Sequence, residues 1–177
     1  MLEAPAVHAL VELARAGDAR AFEALVHDRT DAMFRLSLAI VGNETDAADA
    51  LQESLIGAWR HLPDLRDTER FEIWLERIVV NTCRMTLRAR SRRRVREIAL
   101  DGVDPIGPST DRDAGVLRAA LERLPPDHRA ILALHYFEDR PVAEIAQLLS
   151  IPAGTAKSRL FKARTELGRP LEQEERR

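Results

Sequence analysis

Apolar side chains recur along this chain at intervals of three and four residues, the spacing that lines one face of a helix, and nowhere at the sustained interval of two that marks a strand. Val7, Leu10, Val11 and Leu13 predict a short helix over 6–15; Gly17 breaks it, and Asp18 is placed to cap the next. Phe22, Leu25, Val26, Met33, Phe34, Leu36, Leu38, Ile40 and Val41 predict one long helix or a kinked pair over 21–41, closed by "GNET". Asn43 or Thr45 can cap the following helix, whose Leu51, Leu55, Ala58, Trp59 and Leu62 form a single stripe that ends at Pro63. After the polar "PDLRDTER", the spacing returns at Phe71, Trp74, Leu75 and Ile78, continues to Leu87, and runs into a dense series of arginines.

The periodicity stops between Glu97 and Asp113, where "EIALDGVDPIGPSTDRD" gathers Gly, Pro and Asp. Beyond it, helices are expected over 116–124, from Pro126 through "PPDHRAILALHYFED", over 142–149 and over 153–167. The expected fold is therefore all-α: two small helical domains, 1–96 and 115–177, joined by a flexible linker at 97–114. A chain of 177 residues accommodates two such domains.

Composition narrows the class. Apolar residues make up 45% of the chain and charged residues 32%, values that fit a soluble helical protein better than a disordered or membrane one. The formal net charge of -2 gives no global sign of nucleic-acid binding, so any such argument must be local. The single cysteine, Cys83, excludes a disulfide framework and a cysteine-based zinc site, and points to the cytoplasm. The N-terminus mixes Glu3, Glu12 and Arg15 among its apolar residues, unlike a signal peptide, and no apolar run is long enough to span a bilayer.

The local argument begins at "EIAQLLSIPAGTAKSRLFKAR", residues 144–164. Pro152 cannot continue the first helix but suits the first turn of a second, so "SIP" predicts a sharp turn between two helices, a helix-turn-helix. Ala156, Leu160, Ala163 and Leu167 share the inward face of the second helix. Thr155, Lys157, Ser158, Lys162 and, more laterally, Arg159 are left facing out. A surface face that serves only solubility mixes charge signs, whereas this one is cationic or hydroxylic until Glu166.

The segment "LPPDHRAILALHYFEDRPVAEIAQLLSIPAGTAKSRLFKARTEL" resembles region 4 of the sigma-70 family, in its extracytoplasmic-function (ECF) branch. The resemblance implies that Thr155, Lys157, Ser158, Arg159, Phe161 and Lys162 contact the -35 promoter element in the major groove. Ser150 stands where the family commonly has glycine, a position that costs on the order of a kcal/mol if its φ is positive. Ala156 stands where valine is common.

The first domain resembles sigma region 2 in "GDARAFEALV", "DAADALQESLIGAWRHL" and "FEIWLERIVVNTCRMTLRARSRR". By that resemblance the acidic face of Asp46, Asp49, Gln52 and Glu53 docks on the β′ clamp helices of core RNA polymerase, whose β flap is a further contact of the chain. Helix-start carboxylates favoured by the dipole account for Asp46 and Asp49 but less readily for Gln52 and Glu53. The resemblance also assigns Leu65, Arg66, Asp67, Thr68, Glu69, Arg70 and Asn81 to the opened -10 element. Arg84 and Arg88, with Arg90, Arg92, Arg93, Arg94 and Arg96, form a basic surface suited to phosphates. Ala48 and Met85 depart from the family's usual glutamate and aspartate.

The expected function is that of an ECF-type sigma factor with no catalytic chemistry and no cofactor or metal, partnered by core polymerase, promoter DNA and an anti-sigma protein. A stand-alone regulator, pairing the helix-turn-helix with an N-terminal dimerisation domain, is the alternative; the acidic helix followed by the arginine helix argues against it. An enzyme is disfavoured because His128 and His135 are seven apart, not at the i,i+4 spacing of a helical zinc pair, and neither a Gly-rich phosphate loop nor a nucleophile elbow occurs.

Overall fold

The computed structural model describes residues 4–101 and 112–174, and every regular element among them is helical. The order is α1 (Ala4–Arg15), α2 (Ala19–His27), α3 (Thr30–Val41), α4 (Glu44–His61), α5 (Phe71–Asp101), α6 (Arg112–Arg123), α7 (Pro126–Tyr136), α8 (Val142–Leu148) and α9 (Ala153–Glu174), with two 3-10 turns between α4 and α5.

The caps explain most boundaries. Asp18 accepts hydrogen bonds from the Arg20 and Ala21 amides and starts α2. Asn43 accepts from the Asp46 amide and starts α4, while Gly42, with φ 87°, ends α3 in the left-handed region that glycine adopts without strain. The segment 21–41 is two helices. The Arg29 guanidinium donates to the Leu25 carbonyl and the Thr30 hydroxyl to the Val26 carbonyl, so side chains satisfy the last turn of α2 and the helix need not continue. Helix α5 extends past Leu87 through the arginines to Asp101, and α6 begins at Arg112, so helix covers both ends of the 97–114 segment; residues 102–111 lie outside the described residues.

Two buried clusters hold the molecule. Val11, Leu25, Leu62, Phe71 and Leu75 join α1, α2, the 3-10 turn that follows α4 and the start of α5. The second cluster crosses the expected domain boundary, since Leu36, Ile40, Val79 and Cys83 pack with Ile131, Leu134, Ile145 and Leu160. Helix α7 is the reason: Ala130 to Leu134 are all buried, and a helix apolar on every side must be covered on every side. It packs against α9 and α8 on one side and α3 and α5 on the other.

Candidate functional site

Helices α8 and α9 form the expected helix-turn-helix. Ser150 has φ 54°, and the Ser150 and Ile151 amides donate back to the Gln147 and Ala146 carbonyls, closing α8. Ala156, Leu160 and Ala163 are buried, which fixes the rotation of α9 and turns Lys157, Ser158, Phe161 and Lys162 to solvent. Phe161 is 72% exposed, an apolar ring between two lysines. Thr155 is half-buried, and its carbonyl accepts from the Ser158 hydroxyl. Arg159 lies to the side, its Nη1 3.5 Å from Asp127 Oδ2.

On α4 the inward face is Ala47, Ala50, Leu51, Ser54 and Ala58, which leaves Asp49, Gln52 and Glu53 exposed. Asp46 is more constrained. Its carboxylate accepts from Asn43 Nδ2 at 2.8 Å and from Arg90 Nη1 at 3.3 Å, so one member of the acidic face is neutralised by the arginine helix itself.

The 65–70 loop divides by burial. Leu65 and Thr68 point inward; Thr68 Oγ1 lies 2.6 Å from His8 Nδ1, tying the loop to α1. Arg66, Asp67, Glu69 and Arg70 are exposed, with Asp67 accepting from the Glu69 amide and pairing with Arg70 Nε at 3.1 Å. On α5, Asn81 is exposed and accepts from Arg84 Nη1 at 3.0 Å. Arg88, Arg90, Arg92 and Arg93 are exposed, and Met85 is 63% exposed; the side chains of Arg94 and Arg96 lie outside the described residues.

The residue that brings these surfaces together went unnoticed in the sequence. Asp127, in the first turn of α7, accepts from Arg84 Nε at 2.7 Å and Arg88 Nη2 at 3.0 Å through one oxygen and faces Arg159 through the other. Burial pushes its carboxyl pKa up, but the Arg84 hydrogen bond and the charges of Arg84, Arg159 and Arg88 together outweigh burial and hold it below the usual range. A second pair crosses the same boundary: Arg140 Nη2 donates to the buried Glu76 Oε2 at 2.8 Å, and Arg140 Nη1 to Glu144 at 3.2 Å. Burial raises the Glu76 carboxyl, with Arg140 opposing it. Neither pair has a signal in the sequence, because the partners are 43 and 64 residues apart.

Other reactive groups are engaged in packing. Burial pushes the Cys83 thiol up to about 11, leaving it protonated and inert. His128 Nδ1 pairs with Glu166 at 2.8 Å, and His135 Nε2 lies 2.9 Å from Arg164 Nη2. Among the described residues no cluster of His, Cys, Asp or Glu could hold a metal ion, and no helix is long and apolar enough to cross a membrane.

Comparison with known proteins gives a family match for each half of the chain. Residues 25–93 match the family model "Sigma-70 region 2", and residues 114–167 match "Sigma-70, region 4". The chain is 32% identical to the RNA polymerase sigma-H factor of Pseudomonas aeruginosa, over 92% of each chain. It is 33% identical to the ECF RNA polymerase sigma-E factor of Haemophilus influenzae, covering 88% of this chain and 90% of that one. Among solved structures, CnrH in complex with the cytosolic domain of CnrY superposes with a TM-score of 0.67 at 28% identity, covering 95% of this chain and 98% of that one.

Proposed function

Because the chain belongs to the sigma-70 family of RNA polymerase sigma factors, in the ECF branch, we propose that it is a dissociable initiation subunit whose parts divide the work as follows. It binds core RNA polymerase, directs it to -10 and -35 promoter elements and assists promoter opening; it is not an enzyme. Residues 1–96 form the docking and -10 module, 97–114 the connection and 115–177 the -35 module.

The observation that carries this division is the order of three surfaces on one chain: an exposed acidic face on α4, the arginine-bearing α5 beside it, and a cationic α9 in a helix-turn-helix. Asp49, Gln52 and Glu53, with Asp46 at the edge, dock on the β′ clamp helices. Lys157, Ser158, Phe161 and Lys162 enter the major groove at -35, with Thr155 at the helix start and Arg159 at the flank. The second module also meets the β flap. The exposed Arg66, Asp67, Glu69 and Arg70, with Asn81, Arg84 and Arg88, hold the opened -10 strand through edge contacts and backbone charge. Leu65 and Thr68 serve that loop from beneath, fixing its path. The working compartment is the cytoplasm, where polymerase and promoter are found. An anti-sigma protein is a further partner; the 28% identical CnrH, solved with the cytosolic domain of CnrY, supports that reading.

Docking is the step to test. Asp49→Lys combined with Glu53→Lys reverses two exposed charges without touching the buried face of α4, and is expected to abolish co-elution with core polymerase on gel filtration while leaving the helical circular dichroism unchanged. Wild-type co-elution of the doubly reversed chain contradicts the assignment of this face.

A further inference from the structure

One face of α1 lies against the loop assigned to the -10 element. His8, Val11 and Arg15 are spaced three and four apart, so they line one side of the helix. Helix α1 packs against both 3-10 turns, Leu62–Asp64 and Thr68–Arg70, at the two ends of the 62–70 segment. The two segments meet in opposite directions: Arg15 Nη2 donates to the Pro63 carbonyl at 3.5 Å, Val11 is buried in one cluster with Leu65, and Thr68 Oγ1 lies 2.6 Å from His8 Nδ1. We propose that α1 is a cradle that presets the -10 loop, and that His8 is the positioning residue through which it sets the loop's preference for the base it receives. This deepens the proposed function and rests on that reading.

The burial pattern of the loop shows what the cradle holds. Leu65 and Thr68 are 6% and 8% exposed, and each is followed by two outward side chains, Arg66 and Asp67 after the first, Glu69 and Arg70 after the second. Fixing the two inward anchors therefore fixes where four polar side chains stand. Hydrogen bonds inside the segment set its turns: the Leu65 amide donates to the Leu62 carbonyl, the Arg70 amide to the Asp67 carbonyl and the Glu69 amide to the Asp67 carboxylate. These bonds shape the segment without attaching it to the rest of the module, whereas the Thr68 hydroxyl and the Pro63 carbonyl attach it to α1. A base taken out of the stack costs unstacking energy, and a loop already held in its receiving path loses less of its contact energy to ordering itself. A site held loosely discriminates poorly even when its side chains are present.

Among the three contacts, His8 is the one dedicated to the loop. Val11 belongs to the core that also contains Leu25, Phe71 and Leu75, so it serves the fold of the whole module. Arg15 reaches Pro63 only at 3.5 Å and pairs through Nη1 with Glu12 at 2.9 Å. His8 is itself exposed, so the core does not depend on it, yet its ring holds a loop hydroxyl that is buried.

The test uses the full chain with core polymerase, on a promoter selected from a library by run-off transcription and carrying 2-aminopurine in its -10 element to report opening. His8→Ala is expected to slow opening about two- to tenfold, the factor that one ordinary hydrogen bond is worth. It is also expected to narrow the promoter's advantage over templates altered in the -10 element, while the advantage over templates altered at -35 and co-elution with core stay as in the wild-type chain. Thr68→Val keeps the side chain's shape and removes the hydroxyl; it is expected to act alike, with the double variant no worse than either single one, because the two residues share one interaction. His8→Asn carries an amide near the position of Nδ1 and is expected to restore rate and preference. Equal losses on every template, with Asn no better than Ala, mark a merely structural role for His8 and overturn the proposal, as do losses that multiply in the double variant. Wild-type opening by the His8→Ala chain sinks the cradle and leaves the sigma reading standing, whereas a wild-type chain that opens no library promoter with core polymerase overturns both.

Discussion

Ser150 holds a left-handed backbone, φ 54°, at the turn between α8 and α9, and it does so without the glycine that accepts this conformation freely. Its amide and that of Ile151 close α8, so the turn is held by its hydrogen bonds against the preference of the side chain. Ser150→Gly removes the Cβ strain but adds freedom to the unfolded chain, and the net expectation is stabilisation by about 0.5 to 1 kcal/mol, measured by urea unfolding. A loss of stability contradicts the strain account. This position was legible in the sequence because turn chemistry is local: "SIP" between two apolar stripes requires a sharp reversal. The Asp18 cap was legible for the same reason, and Asn43 was one of the two caps the spacing allowed for α4. Asp127 was not. Its sequence context is that of an ordinary first-turn acid, and its three arginine partners come from elements that only the folded chain brings near.

Helix α9 shows what an element's own pattern can specify. Ala156, Leu160 and Ala163 set its rotation, and every side chain the spacing turned outward is exposed or half-buried in the structure. Lys162→Ala is expected to weaken -35 binding by about 1 to 3 kcal/mol and relax preference at one base position, whereas Arg159→Ala, at the flank where a phosphate contact is proposed, is expected to weaken all sequences alike and lower the salt dependence. Comparing both variants on wild-type and altered -35 duplexes separates the two effects; unchanged affinity for both returns the helix to a solvated face. The α2–α3 segment was less legible, because its break depends on the Arg29 and Thr30 side chains bonding the last carbonyls of α2, contacts that the apolar spacing does not encode. The extension of α5 to Asp101 was missed because the apolar stripe ends at Leu87 while the helix-favouring arginines carry the backbone onward.

Across the molecule, apolar spacing identified two helical modules but not the buried surface they share. Each apolar position reports that it is covered, not what covers it, so Ile131 and Leu134 read equally well as the core of one module or as the seam between two. The unbroken run from Ala130 to Leu134 was the available signal, since no small domain needs one short helix apolar on all sides. The seam buries surface of both modules, and the proposed function assigns their placement on the promoter elements to polymerase. Run-off transcription tests that dependence most directly, with purified core polymerase and a promoter library, comparing the wild-type chain with the Asp49→Lys, Glu53→Lys variant. The account predicts transcripts from a discrete set of promoters sharing -10 and -35 elements, made only when chain and core are both present, and lost with the charge-reversed variant. Tight, specific duplex binding by the chain alone as a dimer, with no transcript in the presence of core polymerase, contradicts it.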